Sequence, residues 1–325
     1  MSVSGKAVVV STSPAFGRHG RVPERIEAAG LDLVRCIDTS LPFGGALDHI
    51  GRADFLVAGL VPVTEDLLAA AGPQLKAVLK HGVGTDTIDI PACTARGLPV
   101  LNTPGANADA VAELAVGLMF ALARAIPAGH TSVASGGWQR QVGTQLGGKT
   151  LGVLGFGNIG RSLARKARGL GMQVMASDPN ADAAFAAAHG IEIVPFERLI
   201  EASDYLSLHI FGGKDNAALI DAAAIARMKP GARLLNLARG EVVDLDAVAA
   251  ALDTGQLGGV AIDAYVTEPP DVSHPVFAHP KAVFMPHSGA DTLEAVENMG
   301  LMVVEDIVTL LSGGRPARVL NPAAL

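Results

Sequence analysis

The sequence predicts an α/β protein built from two doubly wound parallel sheets, and three observations predict it. Short apolar runs alternate with amphipathic stretches along nearly all of the 325 residues, the pattern of parallel strands joined by right-handed helical crossovers. That length suits two domains of ordinary size, each able to bury a core. In the second half, residues 151–160 read LGVLGFGNIG, an apolar run that breaks into Gly155, Gly157 and Gly160 with G-x-G-x-x-G spacing. Such a stretch reads as a strand, a tight turn and a helix start.

Composition agrees with this. Apolar residues make up 49% of the chain and charged residues 18%, which suits a compact globular protein and argues against a solvated or fibrous one. The formal net charge of -7 gives no general reason to bind nucleic acid or an anionic membrane. Cys36 and Cys93 stand far apart, outside any metal-ligand spacing, so reduced thiols are expected and no metal site. A cytoplasmic location is the matching expectation. The apolar run in the N-terminal MSVSGKAVVVS is too short for a signal peptide. The longest apolar stretch, residues 112–126, contains Glu113 and Arg124 and is too short to cross a membrane.

In the first half, strands are expected at residues 6–11, 31–37, 55–59, 75–80 and 99–101, each apolar and flanked by Gly, Pro or a helix end. Helices fill the gaps at residues 22–29, 47–50, 64–71, with Thr64 as cap, and 90–96. Parallel strands put ligand-facing loops at their carboxyl ends, here residues 13–21, 60–63 and 81–89. A long helix follows at about residues 106–126, and its near-continuous apolar face suggests a spine between domains. Residues 127–148 are rich in Gly, Ser and Gln, show no clear period, and contain the single tryptophan, Trp138. They read as a loop that is either a linker or a docking contact.

The alternation resumes at Lys149, with strands expected at residues 150–155, 173–177, 191–194, 205–209, 233–237, 260–262 and 282–284, and a helix at 158–170 after the glycine turn. A last helix at residues 293–311 stops at Gly313 and Gly314. If that helix packs with the first half, residues 1–101 and 293–325 form one discontinuous, flavodoxin-like substrate domain. Residues 102–292 then form a Rossmann-type domain inserted into it, with a hinge where the chain crosses twice.

Each glycine of the turn has a steric job: one makes the bend, one lets backbone approach a diphosphate, and one lets helix and strand pack closely. A diphosphate would meet the free N–H groups of Asn158 and Ile159 at the positive end of the helix dipole. By itself the turn equally fits a purely structural strand-to-helix connection. Asp178 adds the second signal, because it ends the strand QVMASD at 18 residues past Gly160. A carboxylate there accepts hydrogen bonds from ribose hydroxyls and repels a 2'-phosphate, so the expected cofactor is NAD rather than NADP. No basic residue follows it directly; Pro179 and Asn180 come next.

Three later segments, NLARGEVVD, DAYVTEPP and MPHSGADT, place Arg239, Glu268 and His287 after strands. Singly, they read as well as a surface arginine, an exposed acid and a satisfied loop histidine. Together they supply what ketone reduction requires: a fixed cation on the carbonyl oxygen, a proton donor, and a carboxylate that favours the charged imidazole.

The ordered set HGVGTDTID, NTPGANADAVAEL, GGKTLGVLGFGNIG, ASDP, MKPGARLLNLARGEVVD, GVAIDAYVTEPP and MPHSGADT resembles the D-isomer-specific 2-hydroxyacid dehydrogenases, the family that includes phosphoglycerate dehydrogenase. The resemblance implies NAD-dependent hydride transfer between nicotinamide and the 2-carbon of a small 2-oxo or 2-hydroxy acid. It implies Arg239 on the substrate's carbonyl and carboxylate, His287 as acid or base, and Glu268 paired to it. It further implies that the backbone of Val83 and Gly84, with Lys80 and His81 beside them, receives the substrate carboxylate. Asp263 would face the nicotinamide carboxamide, and His209 and Ala238 would border the cofactor. Taken on residues alone, HGVG also fits a tight loop and Asp263 a cap.

Departures from the family pattern bear on substrate. Ala58, followed by GLVPV, stands where phosphoglycerate dehydrogenases commonly carry a phosphate-binding arginine, while Lys80 occupies the place of a second one. Arg18, His19 and Arg21 add positive charge to the first loop. The expected substrate is therefore a small unphosphorylated acid of the glyoxylate or hydroxypyruvate kind, with 3-phosphoglycerate as the alternative. In LHIFGGKDN the family's proline after the histidine and its threonine-rich loop are missing. A reading from another class is an NAD(H)-sensing binding protein of the corepressor type, for which no partner-peptide motif is evident. An NADP-linked reductase conflicts with Asp178. The resemblance also implies a homodimer, formed through residues 127–148, with Trp138, and the 106–126 helix.

Overall fold

Apolar, β-branched runs form the strands of the first half: β1 (Ala7–Ser11), β2 (Leu31–Arg35), β3 (Phe55–Ala58), β4 (Ala77–Lys80) and β5 (Val100–Leu101). The computed structural model describes residues 6–324, so residues 1–5 and 325, the ends of the expected first domain, lie outside the described residues. All five strands are parallel, in the order β2-β1-β3-β4-β5, the flavodoxin-like order. β3 and β4 are buried along their whole length, as parallel strands covered on both faces must be. The connecting helices are α1 (Val22–Ala28), α2 (Leu47–Ile50), α3 (Glu65–Ala69) and α4 (Ile90–Ala95). The Asp89 carboxylate caps α4 by accepting the Ala92 N–H at 2.9 Å. Thr64 occupies the equivalent position before α3, but its hydroxyl is buried without a partner among the described residues, so the expected cap is not made.

The long apolar helix is two helices, α5 (Ala108–Arg124) and α6 (Ile126–Ala134), bent by 65°. Ala125 breaks the run by adopting a left-handed conformation, and Pro127 sits in the first turn of α6. This corrects two expectations: the 106–126 helix ends earlier, and residues 127–148 begin as helix. Among the described residues no single helix is long and apolar enough to cross a membrane.

The second alternation gives β6 (Thr150–Leu154), α7 (Asn158–Gly169), β7 (Gln173–Ser177), α8 (Ala183–Ala188), β8 (Glu192–Ile193), α9 (Phe196–Ala202) and β9 (Tyr205–Leu208). It continues through α10 (Ala222–Arg227), β10 (Ala232–Asn236), α11 (Leu245–Thr254), β11 (Leu257–Ile262) and β12 (Ala282–Phe284). The sheet runs β12-β11-β10-β9-β6-β7-β8, the Rossmann order with β12 added beyond β11. Strand order reverses between β6 and β9, so their carboxyl ends frame the crevice where such sheets bind ligands. The α5 residues Ala112, Ala115, Leu118 and Met119 share one buried cluster with Leu151, Val153, Leu163 and Leu235, which makes α5 a core helix of this sheet.

The last helix, α12 (Leu293–Leu311), is capped by Thr292, whose hydroxyl accepts the Ala295 N–H, and stops before Gly313 at positive φ. Its buried residues Val303, Val304 and Ile307 join the cluster of Val9, Val57 and Leu79 beneath the five-stranded sheet. Contacts divide the chain into two compact units, Met1–Asn107 with Ala290–Leu325, and Ala108–Gly289. Cys36 and Cys93 are free, buried thiols of the first unit.

Candidate active site

The glycine turn of the second unit is built as its spacing implies. Gly155 has φ +91°, and a Cβ there would run into the His209 carbonyl across the β6–β9 gap. A Cβ at Gly160 would overlap the Gly155 carbonyl oxygen, whereas at Gly157 nothing lies within 4 Å. The open glycine is the N-cap of the 12-residue α7, with no side chain capping it. The first-turn N–H groups of Asn158 and Ile159 therefore face the space above Gly157 with no intrahelical acceptor. At the end of β7, Asp178 Oδ2 accepts the Phe156 N–H and Oδ1 the Asn180 N–H, both at 2.7 Å. An apolar cavity of about 290 Å³ opens beside it, lined in part by Leu154, Gly155, Asp178, Ile210 and Leu219. A glycine cradle at a helix start and an apolar slot closed by one carboxylate fit a diphosphate joined to an adenosine. The His209 backbone lies against Gly155. The His209 ring is half-buried, bonded at Nε2 to Ser207 Oγ at 2.8 Å, and desolvation pushes it down to about 4.

Three loops at the carboxyl ends of β10, β11 and β12 carry the expected trio. After β10, Asn236 shapes the turn: its Oδ1 accepts the Ala238 N–H and its Nδ2 donates to the Arg239 carbonyl. Arg239 Nη1 donates to the Ala238 carbonyl at 2.7 Å. After β12 the chain turns at His287, whose φ of +54° is left-handed and costly for a residue with a Cβ. Asp263, at the end of β11 and only 2% exposed, holds that turn. Its two oxygens accept the Ser288 N–H at 2.8 Å and the Gly289 N–H at 2.9 Å. A buried carboxylate needs N–H donors, and the histidine loop supplies two adjacent ones.

Glu268 and His287 meet. His287 Nδ1 lies 2.7 Å from Glu268 Oε1 and 2.9 Å from Oε2. Nδ1–H donates to the carboxylate, which leaves Nε2 as the outward atom able to exchange a proton. Nε2 has no protein partner among the described residues. Both side chains are about one-third exposed, so the pair is accessible from solvent. Among the described residues no group of three His, Cys, Asp or Glu side chains could hold a metal ion.

The first unit presents its loop after β4. The Lys80 and His81 side chains are both buried, Lys80 at the end of the interior strand β4 and His81 just after it. Lys80 Nζ donates to the Gly59 carbonyl at 2.5 Å and to Thr87 Oγ1 at 3.3 Å. His81 pairs Nδ1 with Ser13 Oγ at 3.0 Å and Nε2 with the Val296 carbonyl at 3.3 Å, and burial pushes it down to about 4. The next residues are different: among the described residues no acceptor takes the N–H of Val83 or Gly84, while the Val83 carbonyl is held by Asn102 Nδ2 at 2.8 Å. That leaves two adjacent N–H groups available to an anion. Of the cations in the first loop, Arg21 is paired with Glu297 at 2.6 Å. Sequence reasoning passed over Gly240 and Tyr265, whose backbones touch; the only signal was an aromatic hydroxyl midway between Asp263 and Glu268.

A profile of the D-isomer specific 2-hydroxyacid dehydrogenase NAD binding domain matches residues 116–289. The chain is 38% identical over 308 residues to D-3-phosphoglycerate dehydrogenase 3, chloroplastic, of Arabidopsis thaliana, covering 92% of this chain and 52% of that protein. It spans about half the length of the curated relatives it matches. Among solved structures, the TT0316 protein of Thermus thermophilus superposes with a TM-score of 0.86 at 30% identity, covering 96% of this chain and 99% of that one. A glyoxylate reductase from Paecilomyes thermophila gives 0.83 at 26% identity, covering 97% and 98%.

Proposed function

The chain belongs to the D-isomer specific 2-hydroxyacid dehydrogenase family, with its second unit the NAD-binding domain, and from that premise we propose that it interconverts a small 2-oxo acid and its D-2-hydroxy acid. The observation that carries the proposal is the Glu268 carboxylate on Nδ1 of His287, with Nε2 open. NAD, when bound, supplies or accepts the hydride. His287 Nε2 gives the proton to the developing alkoxide in the reducing direction, and Glu268 offsets the imidazolium charge. Arg239 steadies the carbonyl oxygen and carboxylate of the substrate, and the N–H groups of Val83 and Gly84 receive the carboxylate. Asn158 and Ile159 hold the diphosphate, and Asp178 the adenosine ribose.

A small unphosphorylated acid of the glyoxylate or hydroxypyruvate kind is the favoured substrate. Ala58 offers no cation after β3, and the Lys80 ammonium is bonded to the Gly59 carbonyl. The 38% identity to a phosphoglycerate dehydrogenase supports the second reading, 3-phosphoglycerate. Initial rates with NADH across glyoxylate, hydroxypyruvate, pyruvate and 3-phosphohydroxypyruvate decide between them. His287→Ala should abolish turnover while NADH still binds; turnover at the wild-type rate sinks the assignment. NADH binding with no oxidation on any acid would favour the sensor reading.

A further inference from the structure

The geometry points to Tyr265 as a positioning residue that holds the loops of Arg239, Glu268 and His287 in one register, an inference that rests on the proposed roles of those three. Its hydroxyl lies 2.8 Å from the Met285 carbonyl and 3.1 Å from the Ile262 carbonyl. One hydroxyl hydrogen is thus shared between the last residue of β11 and a residue two before His287. The Tyr265 N–H donates to Glu268 Oε1 at 3.3 Å, the same oxygen that lies 2.7 Å from His287 Nδ1. The third loop arrives through Gly240, next to Arg239. A Cβ at Gly240 would fall onto the Tyr265 carbonyl carbon and the Val266 nitrogen, so the two backbones pack directly. One residue therefore touches all three loops, by its hydroxyl, its N–H and its main chain.

Packing alone would not need the hydroxyl. The ring stacks on Phe277 at 6.1 Å, and Phe277 packs in turn on Phe284, a setting in which phenylalanine would fill the same space. Burial pushes the phenol up to about 12, so it remains a donor across the working pH range. Loss of that donor would leave the Met285 carbonyl without it, the Ile262 carbonyl keeping the Met285 N–H at 2.9 Å, and would free the His287 loop to shift against Glu268. Transfer steps are sensitive to shifts of this kind, since reacting groups must stay within a fraction of an ångström of alignment.

The test is Tyr265→Phe in the full chain, alone and combined with Glu268→Gln. The single variant should lose about tenfold in kcat, with its pH profile displaced from that of the wild type and the KM for NADH unchanged. In the Glu268→Gln background the same change should cost less than about twofold, because the hydroxyl acts by holding the His287 loop in register with that carboxylate. Wild-type kcat and pH profile in Tyr265→Phe, or an equal loss in both backgrounds, would overturn the inference. Should Tyr265→Phe fail to bind NADH, Gly240→Ala takes its place, since it displaces the Tyr265 backbone and leaves the hydroxyl. Lost kcat with retained NADH affinity then supports the inference, and full kcat refutes it. His287→Ala run alongside separates the two claims: if it keeps turnover, the functional reading has failed, and if it loses turnover while Tyr265→Phe is normal, only the positioning role has.

Discussion

Both oxygens of Glu268 lie within 2.9 Å of a single ring nitrogen of His287, so the carboxylate straddles Nδ1 and dictates which nitrogen faces outward. Glu268→Gln keeps the size and one acceptor but removes the charge that offsets an imidazolium. The expected result is a loss of about 10²-fold in kcat for 2-oxo acid reduction, within the range for general acid catalysis, with NADH affinity unchanged by fluorescence titration. A kcat within about twofold of wild type would show that the pair does not assist proton transfer.

The sheets were readable because they rest on local signals. FLVA and AVLK are apolar throughout, and the glycine turn and Asp178 sit at fixed offsets from strand ends, so fold class and NAD followed from spacing. Where the chain departed from expectation, the cause was tertiary. Nothing in an apolar run marks Ala125 as left-handed, and the burial of Lys80 at the end of β4 and of His81 just after it is set by elements distant in sequence. Asp263 and Tyr265 act on backbone groups 20 to 26 residues downstream, a partnership that no periodicity encodes.

Asp178 accepts two backbone N–H groups and lines the apolar cavity. Asp178→Asn retains an acceptor but removes the negative charge facing a 2'-phosphate. The kcat/KM for NADH should fall about tenfold, the worth of one charge-assisted hydrogen bond, while that for NADPH rises. An unchanged ratio of the two would separate Asp178 from cofactor choice.

His81 and His209 make stability depend on pH in one direction. Burial pushes both down to about 4, so the folded chain binds fewer protons than the unfolded chain between about 4 and about 6.5. Stability is fully present above about 6.5 and is lost as pH falls toward about 4, at about 1.4 kcal/mol per pH unit for each histidine. Melting temperatures recorded from pH 7 to 4.5 should fall, and should fall less steeply in His81→Asn and His209→Asn. An identical slope in both variants would contradict the assignment.

Phe120, Ile126, Val133 and Trp138 leave apolar surface exposed along α5, α6 and the following loop, with Trp138 82% exposed. A run of that kind suits a second copy of the chain, the homodimer that the family resemblance implies for residues 127–148 and the 106–126 helix. Light scattering at micromolar concentration should give twice the chain mass for the wild type and a shift toward the single-chain mass for Trp138→Ser. A wild-type monomer would remove the proposal.

Two glycines of the same turn should fail in opposite ways. At Gly160 a methyl group would strike the Gly155 carbonyl and Val153, so Gly160→Ala forces helix and strand apart. Overpacking of that kind costs about 1–3 kcal/mol, read as a melting temperature lower by several degrees. At Gly157 the free chain has nothing within 4 Å of the added carbon, and φ is -75°, so Gly157→Ala should melt like the wild type. Its space is the one assigned to the diphosphate, and the methyl group would hold that group off the N–H groups of Asn158 and Ile159. NADH affinity in Gly157→Ala should therefore drop by about tenfold or more, at unchanged stability. Full affinity in that variant would place the diphosphate elsewhere, whatever Gly160→Ala does to the fold.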